Sequence, residues 1–153
     1  MMEEKEKAWK TVSSKYLFRR PWLTVRCEDM LLPNGNHIPE YYILEYPDWV
    51  NTIAITKDGK FVFVRQYRPG LGRTSYELCA GVCDKEDASP LVSAQRELWE
   101  ETGYGKGNWR EYMVISANPS THTNLTHCFL ATDVEPIDHQ HLEDTEDLSV
   151  HLL

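Results

Sequence analysis

One segment of this 153-residue chain is punctuated as a helix, and almost everything around it reads as short strands. Ser89 is a suitable N-cap, and Pro90 suits the first helical position. The pattern runs to about Thr102, and Gly103 stands where a C-terminal cap glycine belongs. Ahead of it, residues 22–32 and 40–46 flank the turn dipeptide Asn34-Gly35, and residues 50–56 and 60–68 flank Asp58-Gly59. Residues 75–80 form a further strand that Gly81 breaks. Beyond the helix, residues 111–116, 126–134 and 148–153 read as strands. The first fifteen or so residues are polar and predict a short helix or a frayed arm. Many strands around one capped helix predict an α+β domain with a mixed sheet. The last strand stops at Leu153 without a covering element, so the pattern implies that a C-terminal helix is missing.

The length predicts one domain with one substantial core. No apolar run approaches the roughly 20 residues of a membrane span. The opening MMEEKEKAWK lacks the apolar stretch of a secretory signal. A net charge of −8 disfavours nucleic acid and anionic membranes as partners. Cys27, Cys79, Cys83 and Cys128 form no C-x-x-C pair and read as reduced thiols of a cytoplasmic protein.

The helix carries the chemistry. At 100° per residue, Leu91, Ala94 and Leu98 share one side, with Val92 and Trp99 extending that stripe. Glu97, Glu100 and Glu101 occupy an adjacent arc of about 100°. Arg96 at its edge reaches Glu100 at i, i+4. Like charges at this spacing repel. A solvated charged face is the ordinary explanation. The alternative is a hard divalent cation, Mg²⁺ or Mn²⁺, which takes carboxylate and carbonyl oxygens.

The surroundings of that arc resemble the Nudix hydrolase signature. The segment ELCAG leads in, and R96-E97-L98-W99-E100-E101-T102-G103-Y104 matches the second half of the signature at every fixed position. The first half departs: Gly81 to Arg96 is one residue too long, and Glu86 or Asp87 stands where a glutamate is expected. The resemblance implies an α/β/α sandwich on a mixed sheet. It implies metal ligation by Glu97, Glu100, Glu101 and the Ala80 carbonyl, with Arg96 orienting the glutamates.

More of the chain is similar to the ADP-ribose pyrophosphatase branch of that family. Residues 1–46 would be an N-terminal arm and antiparallel β-region serving dimerisation and the nucleotide pocket, and residues 47–153 the hydrolase domain. The resemblance implies a homodimer and hydrolysis of ADP-ribose to AMP and ribose 5-phosphate. Pro119, fifteen residues beyond Tyr104, has the spacing tied to that substrate, or is a plain loop proline. Glu146, then Asp144, are the candidate bases in the acidic segment 142–147. Arg68 is a candidate for phosphate, or pairs with Glu77; Trp22 is a candidate for stacking on the base, or is core. Two other functions stay open: hydrolysis of another NDP-sugar or a nucleoside triphosphate, and non-catalytic nucleotide sensing.

Overall fold

The computed structural model describes residues 7–153. The chain divides into two compact units: one of residues up to Tyr46 with Ala117–Asn124, the other of Pro47–Ser116 with Leu125–Leu153.

The first unit is a three-stranded antiparallel sheet of β1 (Lys10–Arg20), β2 (Leu23–Leu31) and β3 (His37–Glu45), in that order. The expected helix or arm at the amino end is therefore corrected: from Lys10 onward it is strand. Residues 1–6 of that segment lie outside the described residues. Two register shifts, between Thr11 and Ser13 and between Tyr16 and Phe18, break the two-residue period that would have marked the strand. Polar bonds tie the sheet together. Glu28 is buried and accepts from Arg26 Nε at 2.6 Å and from the hydroxyls of Thr11 and Ser14. Arg26 also bonds Glu45. The segment Ala117–Asn124 joins this unit through Leu44, whose N–H donates to Thr121 O at 2.8 Å and whose carbonyl accepts from Thr123 N at 3.1 Å.

The second unit is a mixed sheet with one helix, α1 (Pro90–Thr102). Its path runs β11 (Leu148–Leu152), β5 (Phe61–Arg68), β4 (Trp49–Thr56), β10 (Thr126–Pro136) and β8 (Tyr104–Gly105). The β4–β10 pair is parallel. β9 (Asn108–Ile115) pairs with β10. The single strand expected over 75–80 is corrected to two. β6 (Arg73–Glu77) pairs with β5, and β7 (Cys79–Val82) pairs with β4. The chain changes partner at Leu78, and Gly81 lies inside β7 instead of ending it.

Burial alternates along β4, with Val50, Thr52, Ala54 and Thr56 facing inward. Ala54 packs with Val62, Cys79, Leu98, Ala131 and Val134, while Val50 packs with Ala94 and Phe129. Leu98 is wholly buried, a contribution of about 2 kcal/mol. The helix ends follow the expected chemistry. Ser89 Oγ accepts the Val92 N–H, and Gly103, at φ 72°, donates its N–H to Trp99 O. The helix face differs in one respect: Val92 is exposed, and the buried set is Ser93, Ala94, Leu98, Glu101 and Thr102. No helix among the described residues is long and apolar enough to cross a membrane.

Candidate active site

Packing α1 onto β7 places the helix glutamates against the strand that precedes the acidic loop. Glu101 is not part of a solvated face, the ordinary explanation for such a cluster. It is 5% exposed, and its Oε2 accepts the Ala80 N–H at 3.2 Å. On the wheel Glu101 lies about 20° from Ala94, so the signal for its burial was present. Burial pushes its carboxyl up to about 7; a bond with the Cys79 thiol opposes this, and the charges of Glu97 and Glu146 add to it. Glu97 is raised for the same main reason, burial, with Arg96 opposing and Glu100 and Glu146 adding. A Cβ at position 81 would overlap the Glu97 carboxylate, so glycine there admits that side chain against the strand.

Arg96 organises the cluster. Its Nη1 donates to Glu97 Oε1 and Glu100 Oε2, each at 2.9 Å. Its Nη2 donates to Val82 O at 3.0 Å and Asp87 Oδ2 at 3.1 Å, and Nε donates to the same Asp87 oxygen at 3.2 Å. Asp84 stands 3.2 Å from Nη2. Partial burial disfavours the guanidinium, but the bonds to Asp87 and Glu100 and the charge of Glu97 keep its pKa above the ordinary value. Of the two acids considered for the lengthened loop, Asp87 makes this contact.

Glu146 is exposed and accepts the Glu143 N–H at 2.9 Å, and its charge is felt by both Glu97 and Glu101. Asp144 lies in the exposed turn just before it. Arg68 is held by Glu77, at 2.6 Å from Nη2 and 2.9 Å from Nε. It nevertheless lines a cavity of roughly 450 Å³ with Trp49, Asn51, Ala80 and Gly81. Trp22 and Pro119 belong to the other unit. Trp22 is 77% exposed at the β1–β2 turn, so it is not a core residue. Pro119 follows Asn118, whose carbonyl accepts the Thr121 and His122 N–H groups, which is turn chemistry.

Sequence reasoning missed the clamp on the helix end. Gln140 Nε2 donates to Glu101 O at 2.7 Å, and the His141 N–H donates to Glu100 O at 2.8 Å. A polar segment gives no periodic signal of such a contact.

A divalent cation suits this donor set. Three carboxylates and a carbonyl are hard oxygen ligands, and one arginine faces Asp84, Asp87, Glu97 and Glu100. Burial is the main cause of the raised Glu101 carboxyl, and the negative charges of Glu97 and Glu146 add to it.

Comparison with known proteins agrees with this geometry. The family model described as NUDIX domain matches residues 46–152. The chain belongs to the Nudix hydrolase family. A second model, the nucleoside diphosphate sugar hydrolase N-terminal domain, matches residues 9–44. The chain is 30% identical over 138 residues to an ADP-ribose pyrophosphatase of Bacillus subtilis, covering 90% of this chain and 74% of that one. It is 33% identical over 122 residues to the methanol dehydrogenase activator of Bacillus methanolicus, covering 80% of this chain and 65% of that one. The crystal structure of an ADP compounds hydrolase superposes with a TM-score of 0.82 at 22% identity, over 97% of this chain and 80% of that one. This shows the mixed-sheet Nudix fold. Nudix hydrolases act on small nucleotide substrates and generally use divalent metal ions.

Proposed function

We propose that this chain hydrolyses the diphosphate of ADP-ribose to AMP and ribose 5-phosphate in a metal-dependent reaction. The observation that carries the reading is that one helix holds Glu97 and Glu100 on Arg96 and sets Glu101 against the Ala80 N–H. The similarity to an ADP-ribose pyrophosphatase over 90% of the chain supports the substrate.

Glu97, Glu100, Glu101 and the Ala80 carbonyl would hold Mg²⁺ or Mn²⁺. Such an ion, when bound, neutralises phosphate oxygens and acidifies water. Arg96 holds Glu97 and Glu100 in position through one guanidinium nitrogen. Glu146 accepts the proton of the attacking water, a role favoured over Asp144 by its influence on Glu97 and Glu101. Arg68 offers a guanidinium to phosphate oxygens at the cavity beside Ala80, with Glu77 orienting it. Trp22 stacks on the base, and Pro119 shapes the loop it belongs to. Residues 1–46 serve as the N-terminal arm and β-region, for dimerisation and the nucleotide pocket, and residues 47–153 as the hydrolase domain. An eleven-residue edge strand exposing Val12, Tyr16, Leu17 and Phe18 supports homodimer formation through β1. Four free cysteines support a reducing, cytoplasmic setting.

One other substrate class has specific support. The match of residues 9–44 to the nucleoside diphosphate sugar hydrolase model favours another NDP-sugar as the alternative.

The test is turnover of a Mg²⁺-supplemented panel of ADP-ribose, ADP-glucose, GDP-mannose and nucleoside triphosphates, with products resolved. AMP and ribose 5-phosphate from ADP-ribose, lost in Glu146→Gln, is the expected result. Preferred cleavage of a different NDP-sugar selects the alternative. Nucleotide binding with no turnover would leave a sensor and sink the catalytic reading.

A further inference from the structure

We propose a second cation site, of the Zn²⁺ class, formed by Asp138, His139 and His141 in the segment that follows β10. It does not depend on the substrate reading.

Each of these residues offers a ligand atom, and those atoms lie within 4.8 Å of one another. The Asp138 carboxylate meets one nitrogen of each ring. His139 Nδ1 is 2.7 Å from Asp138 Oδ1, and His141 Nε2 is 3.0 Å from Oδ2. A tetrahedral Zn²⁺ with nitrogen and oxygen ligands at about 2.0–2.1 Å needs donors about 3.3 Å apart. The donor atoms, all within 4.8 Å of one another, are close to that spacing. An aspartate carboxyl is ionised at neutral pH, so the oxygen donor is anionic.

The segment is anchored before any ion arrives. The N–H groups of Ile137 and Asp138 both donate to Gly103 O, at 2.9 and 3.1 Å. The His141 N–H donates to Glu100 O, and the intervening Gln140 side chain to Glu101 O. The His141 ring stacks on Trp99, with centroids 4.3 Å apart, and the His139 ring lies 4.3 Å from His141. The backbone conformation that groups the ligands is therefore already established by its bonds to the end of α1.

Donor chemistry separates this site from the helix glutamates. Two imidazoles and one carboxylate suit Zn²⁺, Cu²⁺ or Ni²⁺, whereas Mg²⁺ prefers all-oxygen surroundings. Three protein ligands leave a position for water. A cation here also lies at the C-terminal end of α1, where positive charge is favoured.

The experiment is calorimetric titration of Zn²⁺ into the intact protein with excess Mg²⁺ present throughout. One Zn²⁺ per chain is expected. Its affinity should fall at least about tenfold in His139→Ala and in Asp138→Asn. The His139 side chain is 79% exposed, so its removal leaves the fold intact. The combined Glu97→Gln, Glu100→Gln, Glu101→Gln variant should keep the site. No Zn²⁺ binding beside Mg²⁺ would overturn the proposal. So would unchanged affinity in His139→Ala, or loss of binding in the triple glutamine variant.

Discussion

The Glu97 carboxylate occupies the space that a Cβ on Gly81 would fill. Strand β7 and helix α1 meet there, and a hydrogen atom on the strand lets a carboxylate lie against it.

Gly81→Ala should therefore injure the site more than the fold. The clash falls on the movable end of Glu97, and the backbone at Gly81 is not in the left-handed region. Displacing a ligand by about 1 Å can cost about 100-fold in rate. Turnover should drop on that scale with a raised Mg²⁺ requirement, while the melting temperature moves by only a few degrees. Full activity in Gly81→Ala would show that Glu97 does not need this position.

Glu101 predicts a pH dependence of the metal-free protein. Its carboxyl is raised to about 7 from an ordinary value of 4.5. The folded state thus binds more protons than the unfolded state between those values. The associated stability is complete below pH 4.5 and is lost as pH rises through about 7. The loss is about 3 kcal/mol. Thermal melts in chelator should fall from pH 5 to pH 8, and Glu101→Gln should flatten that fall and abolish turnover. Added Mg²⁺ should restore the wild type at pH 8. Parallel wild-type and Glu101→Gln melting curves would remove the argument.

Arg96 should resist conservative replacement. Three of its nitrogens are shared among Asp87, Glu97, Glu100 and Val82 O, a geometry that an ammonium point charge cannot reproduce. Arg96→Lys should lose about 10-fold or more in kcat, and Arg96→Ala should also lose about 1–3 kcal/mol of stability. Denaturant unfolding alongside steady-state kinetics separates the two effects. Wild-type kcat in Arg96→Lys would reduce the arginine to a simple counterion.

Thr52 should be replaceable at a gain. Its side chain is fully buried on β4, and its hydroxyl finds no partner among the described residues. Thr52→Val keeps the shape and removes the orphaned group, so unfolding free energy should rise by about 1 kcal/mol. A lower melting temperature would mean that the hydroxyl is satisfied in solution.

Local chemistry made much of this protein legible from its sequence. Ser89, Pro90 and Gly103 bounded the helix because capping and left-handed geometry depend on single residue types. Asn34-Gly35 and Asp58-Gly59 marked hairpins for the same reason. The spacing of Arg96, Glu97, Glu100 and Glu101 placed them on one region of the helix, since helical period alone decides that. Tertiary structure decided the rest. Only the packing of α1 on β7 buried Glu101, brought Asp87 rather than Glu86 to Arg96, and made Gly81 the floor beneath Glu97. Strand β1 was hidden because its bulges erase the two-residue period, and its identity comes from pairing with β2. The segment 137–141 shows no pattern because its role is to bind the carbonyls at the end of α1. Covalent neighbours set turns, caps and faces; burial, partner choice and charge environment exist only when distant segments meet.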